Sequence, residues 1–91
     1  MIPTHGQVAD AVGWLVKEHG VPNGFTPAEI ASQIPGCRAV DVGRWRTRIQ
    51  KQIRSMPEDQ RWRLLNRPDY GYCLYWDGKQ FRAIAPAEAT I

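Results

Sequence analysis

Apolar residues recur with the spacing of an α-helix in three segments of the chain, which predicts three helices. The first predicted helix covers residues 7–19, and Gly20 follows it as a C-terminal stop. Either Thr4 or His5 precedes its first turn. The apolar face of this helix consists of Val8, Ala11, Val12, Leu15 and Val16.

The second predicted helix covers residues 27–34 and begins with a strong local signal. Thr26 is suited to cap it, Pro27 fits the first helical position, and Glu29 completes a capping box with Thr26. A Pro-Gly pair ends the helix. Just before the cap, Phe25 is expected to form a very short extended segment.

The third predicted helix covers residues 41–56 and is amphipathic. Asp41 can cap it, and a proline follows its last residue. One apolar stripe consists of Val42, Trp45, Ile49, Ile53 and Met56. The opposite face is polar and mostly basic, and it carries Arg44, Thr47, Lys51 and Arg54, with Arg48 and Gln50 on its flanks.

The chain then changes to partial alternation, which predicts strands over residues 61–66, 71–76 and 79–84. The segment Arg67–Tyr70 is a turn sequence between the first two strands. An Asp-Gly pair at Asp77 is the strongest short signal for a two-residue hairpin between the last two. Residues 85–91 are small and are expected to fray.

A two-residue hairpin would fix which side chains face the core. Leu74 would face Phe81, and Tyr72 would face Ala83. The other side of the hairpin would carry Cys73, Tyr75, Gln80 and Arg82. The predicted fold is therefore α+β, with three helices followed by an antiparallel hairpin of two or three strands.

Composition and charge indicate what kind of partner the predicted domain binds. The chain has 91 residues, which suffices for one domain, 1–91. Its composition, with 43% hydrophobic and 23% charged residues, is typical of a globular protein. The net charge of +3 is modest but unevenly distributed. Residues 41–56 carry most of the excess, with five arginines and lysines against Asp41 alone, which favours a polyanionic partner.

The order of these elements resembles the winged helix-turn-helix family. The resemblance rests on the sequences FTPAEIASQIPG, VDVGRWRTRIQKQI and RWRLLNRPDYGYCLYW, and it covers residues 7–76. The ending Gly71–Leu74 is similar to the hairpin ending of effector domains in response regulators, although the extra N-terminal sheet of that subfamily is absent. The resemblance implies a DNA-binding domain with the third helix as its recognition element.

The basic helix supports the same function on physical grounds, because a helix fits the major groove and arginine bonds guanine or phosphate with two donors. Arg44, Thr47 and Arg48 are expected to reach bases, whereas Lys51 and Arg54 are expected to contact phosphates. Arg67, at the 66–71 wing tip, is the candidate for the backbone or a minor groove. Arg46 lies at the side of the helix and could equally pair with a carboxylate.

These features lead us to expect a non-enzymatic protein that binds double-stranded DNA, as a sequence-specific transcriptional regulator. Two alternatives stay open. The first is a winged-helix protein-interaction module. A protein partner or a homodimer is also compatible with DNA binding, because one small module buries limited surface on DNA. The second is a single-strand binder that stacks bases on exposed tyrosines, with Tyr70 and Tyr75 as candidates. The four tryptophans, including Trp14, are expected to fill the core.

Other chemistry finds little support in the sequence. Cys37, Cys73, His5 and His19 match no compact zinc spacing, so neither metal nor cofactor is expected. No nucleophile triad, phosphate loop or paired carboxylates stand out. The N-terminus does not resemble a secretory signal, and no apolar run approaches the roughly 20 residues that cross a bilayer. A cytoplasmic protein without a membrane partner is expected.

Overall fold

The computed structural model describes residues 1–55 and 63–86 and forms a small α+β domain. Three α-helices and four antiparallel strands occur within these ranges. In chain order they are α1 (His5–His19), β1 (Asn23–Phe25), α2 (Pro27–Ala31), α3 (Ala39–Ile53), β2 (Arg63–Arg67), a 3₁₀ turn (Pro68–Tyr70), β3 (Tyr72–Trp76) and β4 (Phe81–Ile84). α3 ends at Ile53, so its predicted extension to residue 56 is wrong, because the chain already forms a turn at residues 54–55. Residues 61–62 of the first predicted strand and 87–91 of the tail lie outside the described residues.

Local capping chemistry determines where α1 and α2 begin. The Thr26 hydroxyl accepts the Glu29 backbone N–H at 3.2 Å, and the Glu29 carboxylate accepts the Thr26 N–H at 3.0 Å, so the predicted capping box is confirmed. Thr4 and Gln7 form the same reciprocal pair at 3.1 and 2.9 Å. Because Thr4 is the cap, α1 starts at His5, two residues before the predicted start.

The connection between α2 and α3 differs from the prediction at both ends. α2 stops at Ala31 instead of residue 34. The Ile34 N–H donates to the Ala31 carbonyl, three residues earlier, whereas an α-helix would use the carbonyl four residues earlier. Ile34 is buried all the same. α3 starts at Ala39, so Asp41 is its third residue and not its cap. The Asp41 carboxylate reaches back to the Arg38 backbone N–H at 3.0 Å.

Four strands form one sheet in the order β1–β4–β3–β2, rather than a hairpin of two or three strands. The added strand is β1, the short segment around Phe25, which pairs with β4. The predicted two-residue hairpin is wrong: Trp76 pairs with Phe81 and Leu74 with Ala83, which leaves a four-residue loop. The Asp77 carboxylate accepts two backbone N–H groups of that loop, which stabilises the wider turn.

The core lies between the helices and one face of the sheet. A register shift of two residues preserves the side-chain face, so Tyr72, Leu74, Phe81 and Ala83 are all buried as predicted. The buried Tyr72 hydroxyl donates to the Ala9 carbonyl of α1 at 2.8 Å and so ties sheet to helix. No helix among the described residues is long and apolar enough to cross a membrane.

The described tryptophans divide between core and surface, whereas Trp62, also predicted for the core, lies outside the described residues. Trp45 is 2% exposed and its ring centroid lies 6.2 Å from that of Phe81. Trp76 is partly buried and packs against the same phenyl ring at 4.7 Å. Trp14 is 58% exposed, so its predicted place in the core is wrong. It lies beside the apolar stripe of α1, on the solvent face of that helix.

Candidate nucleic-acid interface

The two faces of α3 differ sharply in burial and charge. Val42, Trp45 and Ile49 are buried and fix the helix against the core. The side chains on the other face are all exposed, and they comprise Arg44, Thr47, Arg48, Lys51 and Arg54. Arg54 follows the last residue of α3 as its C-cap. The structure therefore brings the five candidate residues of this segment to one exposed helix surface.

The cations of this surface lack acidic partners within the described part of the chain. No carboxylate in residues 1–55 or 63–86 lies within 4.0 Å of Arg44, Arg48, Lys51 or Arg54. Two arginines outside α3 do have carboxylate partners: Arg67 pairs with Asp69 at 3.2 Å, and Arg82 pairs with Asp77 at 3.0 Å. Within residues 1–55 and 63–86 the positive charge of α3 is therefore not compensated by acids, which is the arrangement expected of a phosphate-binding surface.

A shallow depression of about 530 Å³ runs along this surface. At Gly43, an added methyl group would meet no atom within 4 Å. The Thr47 hydroxyl donates to the Gly43 carbonyl at 3.2 Å, which commits its donor to the helix backbone. We call the lining residues the α3 groove, and they are Ile2, Val40, Gly43, Arg44, Arg46, Thr47, Arg48 and Lys51. The groove therefore combines apolar and basic contacts.

Arg46 serves the fold as well as lining this groove. Its guanidinium lies 4.6 Å from the centroid of the Trp76 ring and donates to the Gln50 side chain at 2.9 Å. Stacking of this kind joins α3 to β3. In the described part of the chain, Arg46 thus contacts an aromatic ring and an amide, and no carboxylate pairs with it.

The turn between β2 and β3 carries Arg67, the candidate wing-tip residue. Its guanidinium donates two hydrogen bonds to Asp69, at 3.3 and 3.2 Å, and stacks on Tyr70 at 4.6 Å. The hydrogen bond to Asp69 raises the pKa of Arg67. Tyr70 in turn donates to Asp10 of α1 at 2.8 Å. The turn is therefore held against α1, and its cation is already paired, unlike those of α3.

The two tyrosines proposed for base stacking occupy different surroundings. Tyr70 is 41% exposed, but Arg67 covers one part of its ring and Asp10 holds its hydroxyl. That hydrogen bond to Asp10 raises the pKa of Tyr70. Tyr75 is partly buried in β3, where it pairs with Arg82 of β4. Both residues therefore already have neighbours within the fold, Arg67 and Asp10 at Tyr70 and Arg82 at Tyr75.

The histidines and cysteines have structural surroundings of their own. His5 packs edge-on against Trp45, with ring centroids 5.6 Å apart, and His19 lies near Phe25 at 6.3 Å. Burial raises the pKa of both the Cys37 and the Cys73 thiols, which disfavours the reactive thiolate form. Within the described ranges, no three potential metal ligands gather in one place.

Two functional features escaped the sequence interpretation. The groove floor at Gly43 and its apolar edge at Val40 were overlooked, although both share the face of Thr47 at helical spacing. The exposure of Trp14 was also overlooked.

Comparisons with protein-family models, with curated proteins and with solved structures found no match.

Proposed function

We propose that this protein binds double-stranded DNA, with α3 lying in the major groove in a winged helix-turn-helix arrangement. The observation that carries the proposal is the exposed row of four cations on α3 that have no carboxylate partner in the described chain. Solvated basic faces on ordinary helices are usually interspersed with acids. Here Asp41 is the one acid of the helix, and it is buried.

Duplex DNA fits this surface better than a single strand does. A helix with its side chains is about 10–12 Å across, which matches the roughly 12 Å width of the major groove. Arg44 and Arg48 lie far enough toward the start of α3 to reach base edges, and the Thr47 methyl group suits a thymine methyl. Lys51 and Arg54 follow the helix toward the phosphate backbone.

The remaining elements would act as support for α3. In this proposal α2 precedes the recognition helix, and the β2–β3 hairpin is the wing. Arg67 would contact the backbone or a minor groove only by leaving Asp69, so we expect it to contribute less than the α3 cations. The proposed cellular role is sequence-specific transcriptional control without catalysis, because the α3 groove offers base contacts and no reactive group.

Arg48→Glu tests the proposal directly. We expect the variant to fold normally, because Arg48 is exposed, and to bind duplex at least tenfold more weakly. The measurement is fluorescence anisotropy with random-sequence duplex and single-stranded oligonucleotides at two salt concentrations. Lys79→Glu is the matched control, since it makes the same change in charge in the β3–β4 loop, outside the α3 groove.

Each outcome of that experiment bears on a different hypothesis. Salt-sensitive binding that favours duplex, lost in Arg48→Glu and kept in Lys79→Glu, supports the proposal. Unchanged affinity in folded Arg48→Glu removes α3 from the interface. If Tyr70→Ala costs more affinity than Arg48→Ala, the protein is a single-strand binder. Absence of binding to either nucleic acid at low salt would favour the protein-interaction module.

A further inference from the structure

The α3 groove has an apolar end that its positive charge does not explain. Val40, in the first turn of α3, is 50% exposed. Ile2 lines the same groove, and it packs partly against the core, which fixes its position. A single exposed apolar residue is ordinary on a protein surface. Two apolar side chains in a groove that is otherwise basic indicate a ligand that carries both negative charge and apolar groups.

The residues of the groove are regularly spaced along α3. Val40, Arg44 and Arg48 are four residues apart, and Thr47 and Lys51 belong to the same exposed face. An α-helix rises about 1.5 Å per residue, so each interval of four residues covers about 6 Å along its axis. Neighbouring base pairs of duplex DNA are about 3.4 Å apart. The three residues are therefore spaced to face base pairs about two steps apart.

The groove offers hydrogen-bond donors and methyl groups, but hardly any acceptors. Arg44 and Arg48 can only donate. The Thr47 hydroxyl is the one side-chain acceptor among the described residues that line the groove, and its proton is donated to the Gly43 carbonyl. Neither glutamine of α3 lines the groove. The surface is therefore selective for partners that present acceptors and apolar groups.

Two of the four bases present such edges in the major groove. Guanine offers two acceptors, which match the paired donors of an arginine. Thymine offers one acceptor and a methyl group, which matches an apolar side chain. Adenine and cytosine each present an amino group there, and reading an amino group requires an acceptor such as a glutamine or a carboxylate. The α3 groove is thus complementary to guanine and thymine.

We propose that the α3 groove reads a thymine methyl group with Val40 and Ile2, and that Arg44 and Arg48 read guanines on the same side of it at intervals of about two base pairs. This inference rests on the proposed function, because it requires α3 to lie in the major groove. It adds the base chemistry of the target. A 5-methylcytosine carries its methyl group in the same position as thymine, so methylation of a cytosine opposite Val40 should strengthen binding.

Bases altered at single atoms test the proposal on a duplex selected from a random library with the wild-type protein. Uracil in place of thymine removes the methyl group and keeps every hydrogen-bonding group. At one thymine of the selected site, we expect this replacement to weaken binding about fourfold, the effect of exposing one buried methyl group. 7-Deazaguanine lacks the N7 acceptor, and it should weaken binding at least about fivefold at the guanines facing Arg44 and Arg48. Fluorescence anisotropy measures each affinity.

Variants of Val40 assign the methyl contact to this side chain. Val40→Ala should keep the circular dichroism spectrum of the wild type and should bind the thymine and uracil duplexes within about twofold of each other, because the apolar contact is lost. Val40→Ile keeps a branched apolar side chain and should retain the preference for thymine. Thr47→Val is the control for the groove's acceptor, since it removes the hydroxyl and keeps the shape, and it should select the same site as the wild type.

The outcomes separate this proposal from the proposed function. Duplex binding to a selected site at which no thymine is sensitive to uracil overturns this proposal and leaves duplex binding intact. Salt-sensitive duplex binding from which selection enriches no site does the same. A thymine preference that Val40→Ala leaves unchanged assigns the methyl contact elsewhere and overturns the proposal, as does a different selected site in Thr47→Val. Absence of duplex binding by the wild type overturns the proposed function and this inference together.

Discussion

Replacing Gly43 with alanine should stabilise the protein. Gly43 lies one turn inside α3, and its added methyl group would meet no atom within 4 Å. In such a position, glycine costs about 0.8–1.0 kcal/mol relative to alanine, because it loses more backbone freedom when the helix forms. No new contact adds to or subtracts from this difference, so we expect the free energy of unfolding to rise by about 1 kcal/mol. For a domain of this size, that corresponds to a midpoint roughly 4–8 °C higher.

Gly13→Ala is the matched control, since it is the same substitution inside another helix. Its methyl group would lie 3.1 Å from the ring of Tyr70, which the bond to Asp10 holds in place. The steric cost should cancel at least half of the gain from helix propensity. Both variants are compared with the wild type by thermal unfolding followed by circular dichroism, at low micromolar protein. An unchanged or lower midpoint in Gly43→Ala would refute the assignment of Gly43 to an open helix face.

The same substitution has a separate effect on the proposed interface. The methyl group would project into the α3 groove beside Arg44 and Thr47, two of the residues that we propose for base contacts. We expect the more stable variant to bind duplex at least about fivefold more weakly, the loss of roughly 1 kcal/mol that one impaired base contact causes. Full affinity in Gly43→Ala would mean that DNA does not come close to the helix at this point.

Two further predictions concern the sheet. Backbone N–H groups of Gln80 and Lys79, with the Arg82 guanidinium, lower the pKa of Asp77 to about 2. The charged carboxylate therefore stabilises the fold at pH values above its unfolded pKa of about 3.9, and this stabilisation is lost as the pH falls toward 2. Denaturant titrations between these pH values should therefore show a smaller loss of stability for Asp77→Asn than for the wild type; equal pH dependence would exclude this carboxylate as the cause. Tyr72→Phe should lower the free energy of unfolding at pH 7 by about 1 kcal/mol, because the hydrogen bond to the Ala9 carbonyl is lost, and a variant as stable as the wild type in urea would refute that contribution.

Features that depend on neighbouring residues were predictable from the sequence. The capping box of Thr26 and Glu29 forms within four residues, and both hydrogen bonds are present. The α3 face was predictable for the same reason, because helical spacing alone places Arg44, Arg48 and Lys51 together. The pairing of Arg67 with Asp69 is also local, but a carboxylate two residues away in a turn was not weighed against a wing-tip role.

Features that depend on distant residues were not predictable in the same way. Asp77-Gly78 signals a two-residue turn, but the loop widens because the carboxylate bonds two backbone N–H groups and Arg82. Trp14 is as hydrophobic as Trp45, and only the packing of the sheet on the other side of α1 leaves it outside the core. The pairing of Phe25 with β4 requires two segments that are far apart in the chain to meet, which no local pattern encodes.

The pairing of β1 with β4 joins the helices and the sheet into one cooperative folding unit. Asn23 pairs with Ala83 and Phe25 with Phe81, so this one ladder closes a loop that contains α2, α3, β2 and β3. Distant pairings of this kind form late and slowly in folding, because the entropy of closing the loop is lost before the contacts are gained. A fragment with the three helices alone would leave Phe25 unpaired and Trp45 without the ring of Phe81. Any transfer of α3 to another protein should therefore carry the entire sheet with it.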